Sequence, residues 1–258
     1  MTEFRIIPVL DLLTLPGAKK PVSVHAIRGR RDEYKPLQSN LFPSSNPLHI
    51  IEILSGRHSF AEIYVADLDA ILREEPNLEL LTKISGLASS GILLDPGIKN
   101  MENLKQYMDL DLGSLILGLE TLDNLRVIER ALDMLGQDHL TLSVDLFKDQ
   151  LLTRIPSLEG CAPMELVIKI QNMGIKEIIL LDLDRVGSKK GGIPETFLRI
   201  RDTFPDRILI GGGTKNAADL REYKDAGFSG VLIATALYDE SIPLDVIKKM
   251  RKGGSIHS

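Results

Sequence analysis

Residues 208–220 read ILIGGGTKNAADL: an apolar run from Ile208, three glycines, a Thr/Asn turn, and the start of a helix that takes in Leu220. Glycines at a strand end let backbone N–H groups approach a ligand with no Cβ in the way. The helix start adds unpaired donors and the positive end of its dipole. Together they make an anion cradle, most often for phosphate, although glycines after a strand also serve as plain turn punctuation. An apolar strand passing straight into a helix is also the unit of a buried parallel sheet. The fold depends on how often that unit recurs.

It recurs along the whole chain. Phe4 to Leu13 opens as a buried strand closing on Asp11, with Pro8 absorbed by a bulge or an early strand position. The stretch Thr14 to Pro43 is too long for an ordinary connection. Within it Val22 to Ile27 alternates as a short extra strand, and Arg28, Arg30, Arg31, Tyr34 and Lys35 form a basic loop. That loop is either a cover over a substrate or a solvated surface. Asn46 and Pro47 open a helix that Gly56 is expected to cap. Further strands are expected at Glu62–Asp69, Gly91–Leu94, Ser114–Leu117, Leu140–Val144 (ending at Asp145), Glu177–Leu181, Ile208–Ile210 and Gly230–Ala234, with helices after them. Eight such strand–helix pairs spell an α/β fold of the (β/α)8 TIM barrel type. The rival, a doubly wound open sheet, rarely needs eight equal units.

The two halves match each other. Ile63–Asp69 (IYVADLD) parallels Ile178–Asp184 (IILLDLD), and Ile92–Asn100 (ILLDPGIKN) parallels Ile208–Asn216 (ILIGGGTKN). Leu115–Gly118 parallels Val231–Ala234 in nearly the same register. The reading is one domain over 1–258 made of two duplicated half-barrels, about 1–136 and 137–251, with a tail 252–258. Asp11 and Asp145 then end the first strands of the two halves. Carboxylates at that face of a barrel are candidate acid and base, and the plainer reading is that each caps the next turn.

Composition narrows the partners. The chain has 258 residues, 43% hydrophobic and 26% charged, enough for one large core without disulfides. The single Cys161 excludes an intramolecular disulfide and fits a reducing compartment. No apolar run reaches membrane-spanning length, and the N-terminus lacks a cleavage site, so the expected setting is cytoplasmic with no membrane partner. A net charge of −5 and few aromatics give no face for nucleic acid. The histidines show no metal-ligand spacing, and no cofactor or metal is expected. The pairs Asp67/Asp69 and Asp182/Asp184 could take Mg²⁺, but turn capping or pairing with Arg or Lys is the commoner use. A monomer or small homo-oligomer is expected.

With IIPVLD, VADLDAI, LLDLDR, IGGGTKNAADL and GVLIATALYD in order, the chain resembles the HisA/HisF family, most closely its HisA branch, the ProFAR isomerases of histidine biosynthesis. Residues 24–42, VHAIRGRRDEYKPLQSNLF, also resemble HisA-related proteins found beside methanopterin-linked one-carbon genes. The resemblance implies a half-barrel-duplicated TIM barrel that turns an aminoaldose into an aminoketose, an intramolecular oxidation–reduction, on a substrate with two phosphates. It places the acid/base pair on Asp11 and Asp145. It places one phosphate on Gly211, Gly212, Gly213, Ala234 and Thr235, and a substrate-binding loop on Arg185, Gly187 and Ser188. His25 stands where the family has a substrate-holding Arg, with Arg28 close behind.

The departures are specific. The family's first-half phosphate glycines are Asp95 and Pro96 here, and its Gly-Thr after the fourth strand is Leu119-Glu120. Its catalytic Thr after the sixth strand is Leu181. The expectation is therefore a HisA-like isomerase acting on a small monophosphorylated metabolite, a sugar or cofactor precursor. The alternatives are a true ProFAR isomerase, and a non-catalytic barrel that binds a phosphorylated ligand or a protein partner.

Overall fold

The computed structural model describes residues 3–25, 33–89 and 91–251. In chain order the strands are β1 (Arg5–Leu13), β2 (Val22–His25), β3 (Lys35–Pro36), β4 (Glu62–Asp67), β5 (Gly91–Asp95) and β6 (Ser114–Gly118). They continue as β7 (Leu140–Phe147), β8 (Gln150–Leu151), β9 (Glu177–Asp182), β10 (Arg207–Gly211) and β11 (Gly230–Ile233). Eight of them run parallel in the order β1-β4-β5-β6-β7-β9-β10-β11, and β11 pairs back onto β1, so the sheet closes. This is the (β/α)8 barrel of two duplicated halves that the sequence repeats. Among the described residues no helix is long and apolar enough to cross a membrane.

Alternation along the strands sorts two cores. Ile7, Leu93, Ile116, Ile179, Leu209 and Leu232 fill the barrel interior. Their neighbours, such as Leu10, Val65, Leu94 and Ile210, face the helices in one continuous outer layer. Pro8 lies at the last residue of β1 that pairs with β11, where the strand changes partner. No bulge is needed there.

The barrel's lower end, where the strands begin, is closed by charge. The Arg5 guanidinium donates to both Glu62 oxygens at 2.6 Å and to the buried Glu177. Glu177 also takes Arg207 Nε at 3.0 Å and Thr141 Oγ1 at 3.1 Å. A buried carboxylate is tolerable only when its lone pairs are satisfied in this way.

Several elements differ from the sequence reading. β1 ends at Leu13 and pairs with the expected short strand from Val22, whereas β7 runs past Asp145 to Phe147 and folds back onto an unexpected β8. Gly56 caps nothing: α1 (Pro47–Glu52), with Asn46 and Pro47 opening it, continues through a wider turn over Ile53–Arg57 that contains Gly56. The second strand stops at Asp67, whose carboxylate accepts the Ala70 N–H and starts α2 (Leu68–Arg73), so Asp69 is helical. The later helices are α3 (Leu78–Leu87), α4 (Met101–Lys105), α5 (Arg126–Leu135) and α6 (Pro163–Asn172). They are followed by α7 (Glu195–Thr203), α8 (Ala217–Asp225), α9 (Thr235–Tyr238) and α10 (Leu244–Arg251). Neither α2 nor the four-residue α9 was legible beforehand.

Candidate active site

The C-terminal ends of the barrel strands enclose a cavity of about 260 Å³. Its walls are apolar: Val9, Ala66, Leu68, Leu181, Leu183 and Leu232, with Tyr34 from the long first loop. Its polar groups fall into two ends and a middle.

One end is built of backbone donors. Gly212 and Gly213 line it with φ of 93° and 87°, a region that L-side chains rarely enter. A Cβ on Gly212 would stand 2.6 Å from the Asp182 carbonyl oxygen, so this close turn admits only glycine. Ala234, Thr235 and Ala236 face the same space. The N–H groups of Leu237 and Tyr238 return to Ala234 O, and that of Asp239 to Thr235 O. The first-turn N–H groups of Thr235 and Ala236 have no acceptor within the helix, as at any helix start. Lys189 lines this end, held by Asp239 and, at 2.5 Å, by Ser241 Oγ. His25 Nε2 lies 3.5 Å from Thr235 Oγ1. Burial lowers the His25 pKa below its usual 6.5, Asp239 opposes that shift and Lys189 adds to it. The ring is neutral at pH 7.

The middle holds Asp11 of β1 and Asp145 of β7, brought to one space from the two halves. Ser143 Oγ donates to Asp145 Oδ1 at 2.6 Å, fixing that carboxylate from within its own strand. Tyr64 projects inward from β4 and donates to Asp95 Oδ2 at 2.8 Å. Burial, then the charges of Asp95, Asp145 and Asp11, push its pKa well above 10, so the hydroxyl stays protonated. Three carboxylates thus act on a single phenol.

The far end carries Asp95 and Glu120. Asp95 Oδ1 takes the Gly97 N–H at 3.1 Å. Gly97 is packed against α2, for a Cβ there would lie 2.7 Å from Ile71 Cγ1 and 2.8 Å from Ile71 Cα. In the first half, then, a carboxylate already takes the loop N–H and a helix covers the glycine.

A model of the family described as histidine biosynthesis protein matches residues 5–243 of the chain. The chain belongs to the histidine biosynthesis protein family. It is 29% identical over 247 residues to an uncharacterised protein of Methanocaldococcus jannaschii, covering 94% of this chain and 97% of the relative. It is 26% identical to the 1-(5-phosphoribosyl)-5-((5-phosphoribosylamino)methylideneamino)imidazole-4-carboxamide isomerase of Methanosarcina barkeri, across 94% of this chain and 96% of that one. The isomerase of the same name from Halothermothrix orenii is also 26% identical, over 75% and 82% of the two chains. At these identities the protein is a diverged, HisA-like member of the histidine biosynthesis family.

Of the candidate residues that the family pattern suggests, the cavity gathers Asp11, Asp145, Gly187, Gly212, Gly213, Ala234 and Thr235. Three others are employed elsewhere. The Arg185 guanidinium ties down its own loop, donating to the carbonyls of Gly191 and, at 2.9 Å, Gly192. Ser188 Oγ donates to Arg185 O at 2.7 Å. Gly211 ends β10 outside the cavity lining, where a Cβ would meet Leu181 Cδ1 at 2.8 Å. Arg185, Ser188 and Gly211 therefore shape the site without lining it. Arg28 lies outside the described residues. The carboxylates of Asp67 and Asp69 are used by Asn77, Thr14 and Arg73, a capping network between α2, the turn before α3 and the end of β1. Lys190 pairs with Asp184 at 2.5 Å. Sequence reasoning missed Tyr64, although a single tyrosine in an otherwise aliphatic inward row (Tyr64, Ala66) was a usable signal.

Proposed function

We propose that this protein is a HisA-like isomerase that works by aspartate acid/base catalysis on a small monophosphorylated aminoaldose or related cofactor precursor. The observation that carries this reading is the arrangement in one cavity of Asp11 and Asp145 beside the donor end at Gly212, Gly213 and Thr235. A phosphate there accepts N–H groups of the glycine turn and of the first turn of α9. Lys189 and His25 stand beside it. The sugar then lies across the two aspartates.

The chemistry needs one acid and one base. The acid protonates the ring oxygen as the C1–O bond breaks, leaving an open-chain iminium. The base takes the proton from C2 to give an enaminol; a proton returned to C1, with loss of the 2-hydroxyl proton, yields the aminoketose. No electron leaves the substrate: C1 is reduced as C2 is oxidised. Asp11 and Asp145 fill these two roles, and the Tyr64 hydroxyl, donated to Asp95, lies beside them.

The test is isomerisation of a panel of N-substituted ribosylamine 5-phosphates in D2O, followed by proton NMR. Turnover with deuterium at C1 of the ketose is expected. A soluble wild-type protein that turns over none of them, and whose melting temperature no phosphorylated sugar raises, sinks the enzyme reading and favours a non-catalytic barrel. A second reading, the two-phosphate isomerase itself, is favoured by the names of the relatives. It requires complementation of a histidine auxotroph lacking that enzyme, and Asp95 in the first-half turn argues for failure.

A further inference from the structure

The strand order gives the cavity two axes. In the closed ring of eight strands, β5 and β10 stand four places apart, so the turn after β5 faces the glycine turn after β10 across the barrel mouth. β1 and β7, which carry Asp11 and Asp145, stand four places apart on the other axis. A ligand held at Gly212 and Gly213 and reacting between the aspartates therefore extends toward the turn after β5. On the α2 side it meets hydrocarbon there. Leu68 and Ile71 of α2 both line the cavity. Ile71 also lies over Gly97, closing off the turn that the duplication makes the twin of the glycine turn. Tyr34 lines the same space, and both it and Ile71 are part-buried side chains packed on the barrel's interior cluster.

Resting on the monophosphate reading above, we infer that the far end of the substrate is a hydrocarbon group, an alkyl or aryl substituent of the reacting nitrogen, packed on Leu68, Ile71 and Tyr34. Apolar surface taken from water drives such binding, and a concave apolar wall selects the group that fills it. Leu68 and Ile71 are three residues apart on α2 and so share one face of the helix. The Asp67 carboxylate, bonded to Ala70 and Asn77, and the Asp69 carboxylate, bonded to Thr14, Asn77 and Arg73, hold that helix in place. The wall is therefore set before the ligand arrives and costs little ordering on binding. A phosphate has less to gain at this turn. The Gly97 N–H is already given to Asp95, and a phosphate pressed on Leu68 and Ile71 would lose its water to surfaces that cannot hydrogen-bond. Leu68 and Ile71 are then the residues that decide specificity, giving the first half a hydrocarbon pocket where the second half has an anion cradle.

Calorimetry with four series of probes tests this: alkyl monophosphates from methyl to hexyl, phenyl and benzyl phosphates, the alkyl chains ending in a second phosphate, and the same chains as free alcohols. Affinity of the monophosphates is expected to rise about fourfold for each methylene that reaches the wall, with an increasingly negative heat-capacity change. The aryl phosphates are expected to share the gain, and the bisphosphates to bind more weakly than alkyl phosphates of the same length. Leu68→Asn and Ile71→Thr each reduce the gain, and both together abolish it while methyl phosphate binds as before. Affinity that does not rise with length in either monophosphate series, bisphosphates that bind best, or a gain that survives both substitutions would each overturn the inference. The alcohols separate it from the phosphate reading. Alcohols that gain with length through Leu68 and Ile71, with no phosphate binding better than its alcohol, remove the phosphate site and keep the hydrocarbon end. Methyl phosphate that binds with no further gain along the series keeps the phosphate site alone. Should a variant fail to fold, the wild-type ranking of the four series still decides.

Discussion

The turn after β5 and the turn after β10 have the same skeleton and opposite chemistry. Asn100 and Asn216 cap the helices that follow, both in extended backbone, with φ and ψ of −147° and −179° for one and −154° and −179° for the other. The Lys99 N–H reaches Asn103 Oδ1 at 3.2 Å, and the Lys215 N–H reaches Asp219 Oδ2 at 2.6 Å. Gly97 and Gly213 both have positive φ, 66° and 87°. The difference lies in what covers them. In the first half the chain after β4 winds at once into α2, and Ile71 comes down onto Gly97. At the matching point after β9 the residues are Arg185, Val186 and Gly187, and Gly187, Gly191 and Gly192 all have positive φ, which no helix tolerates. That chain stays a loop whose Arg185 packs against Gly213 and donates to the carbonyls of Gly191 and Gly192, and Gly212 and Gly213 still line the cavity. Caps and glycines thus preserve the scaffold of a duplicated site, while the helix propensity of a neighbouring loop decides whether it can still receive a ligand.

The largest test of this comparison treats the halves as equal partners in chemistry. Asp11→Asn and Asp145→Asn, one from each half, should each lower turnover about a thousandfold or more in the deuterium assay while leaving the melting temperature near wild type. A variant with near-normal rate would assign the chemistry to one half alone. Next is the stitch between halves at the barrel's lower end. Arg5→Met leaves Glu177 buried with Arg207 as its remaining cation, and should cost about 3 kcal/mol in chemical denaturation. A loss under about 1 kcal/mol would mean that Arg207 and Thr141 suffice. A finer test sets the two glycine turns side by side. Gly97→Ala and Gly212→Ala both force an L-side chain into positive φ against a neighbour, and each should cost about 1–3 kcal/mol. Only Gly212→Ala should also abolish the rise in melting temperature with alkyl phosphates. Equal losses of binding would place a phosphate in the first half as well.

The barrel was legible because parallel strands buried on both faces read as apolar runs, and because the duplication repeated them in register. Asn46, Asn100 and Asn216 stand at caps for reasons that are local to the chain. What escaped was non-local. α2 forms because the Asp67 and Asp69 carboxylates are drawn in by Asn77 and Thr14, contacts that no periodicity encodes. Asp145 reads as a strand end because polarity breaks the run there, yet β7 goes on to Phe147 and a hairpin with β8 that its own few residues do not announce. Arg185 reads in sequence as a ligand for anions, and the fold shows its Nη2 donating to the carbonyls of its own loop while its buried Nε, beside Gly213, has no hydrogen-bond partner. The contrast between Gly211–Gly213 and Asp95–Gly97 was visible as letters; that Asp95 takes a loop N–H and Ile71 covers Gly97 was not.

The smallest expected effect separates the two ends of the barrel by pH. His25 lies beside Thr235 at the glycine end of the cavity, and His58 lies at the barrel's lower end, where its pKa is lowered first by burial and then by Lys248 and Arg57. Both folded-state values lie below 6.5, so between them and 6.5 the unfolded chain binds protons that the folded chain refuses. Stability therefore falls as pH drops through that window, and is insensitive to these groups above it. Asp67 and Asp182, whose pKa values burial raises from 3.8, act in the opposite sense, but nearer the carboxylate range. Denaturation between about pH 7 and pH 5.5 isolates the histidine contribution. His58→Gln should flatten the slope with or without ligand. His25→Gln should flatten it in the free protein and also alter the pH dependence of alkyl-phosphate binding, since a dianion beside Thr235 favours the protonated ring. A His58 variant with that second effect, or a His25 variant without it, would remove His25 from the proposed phosphate site.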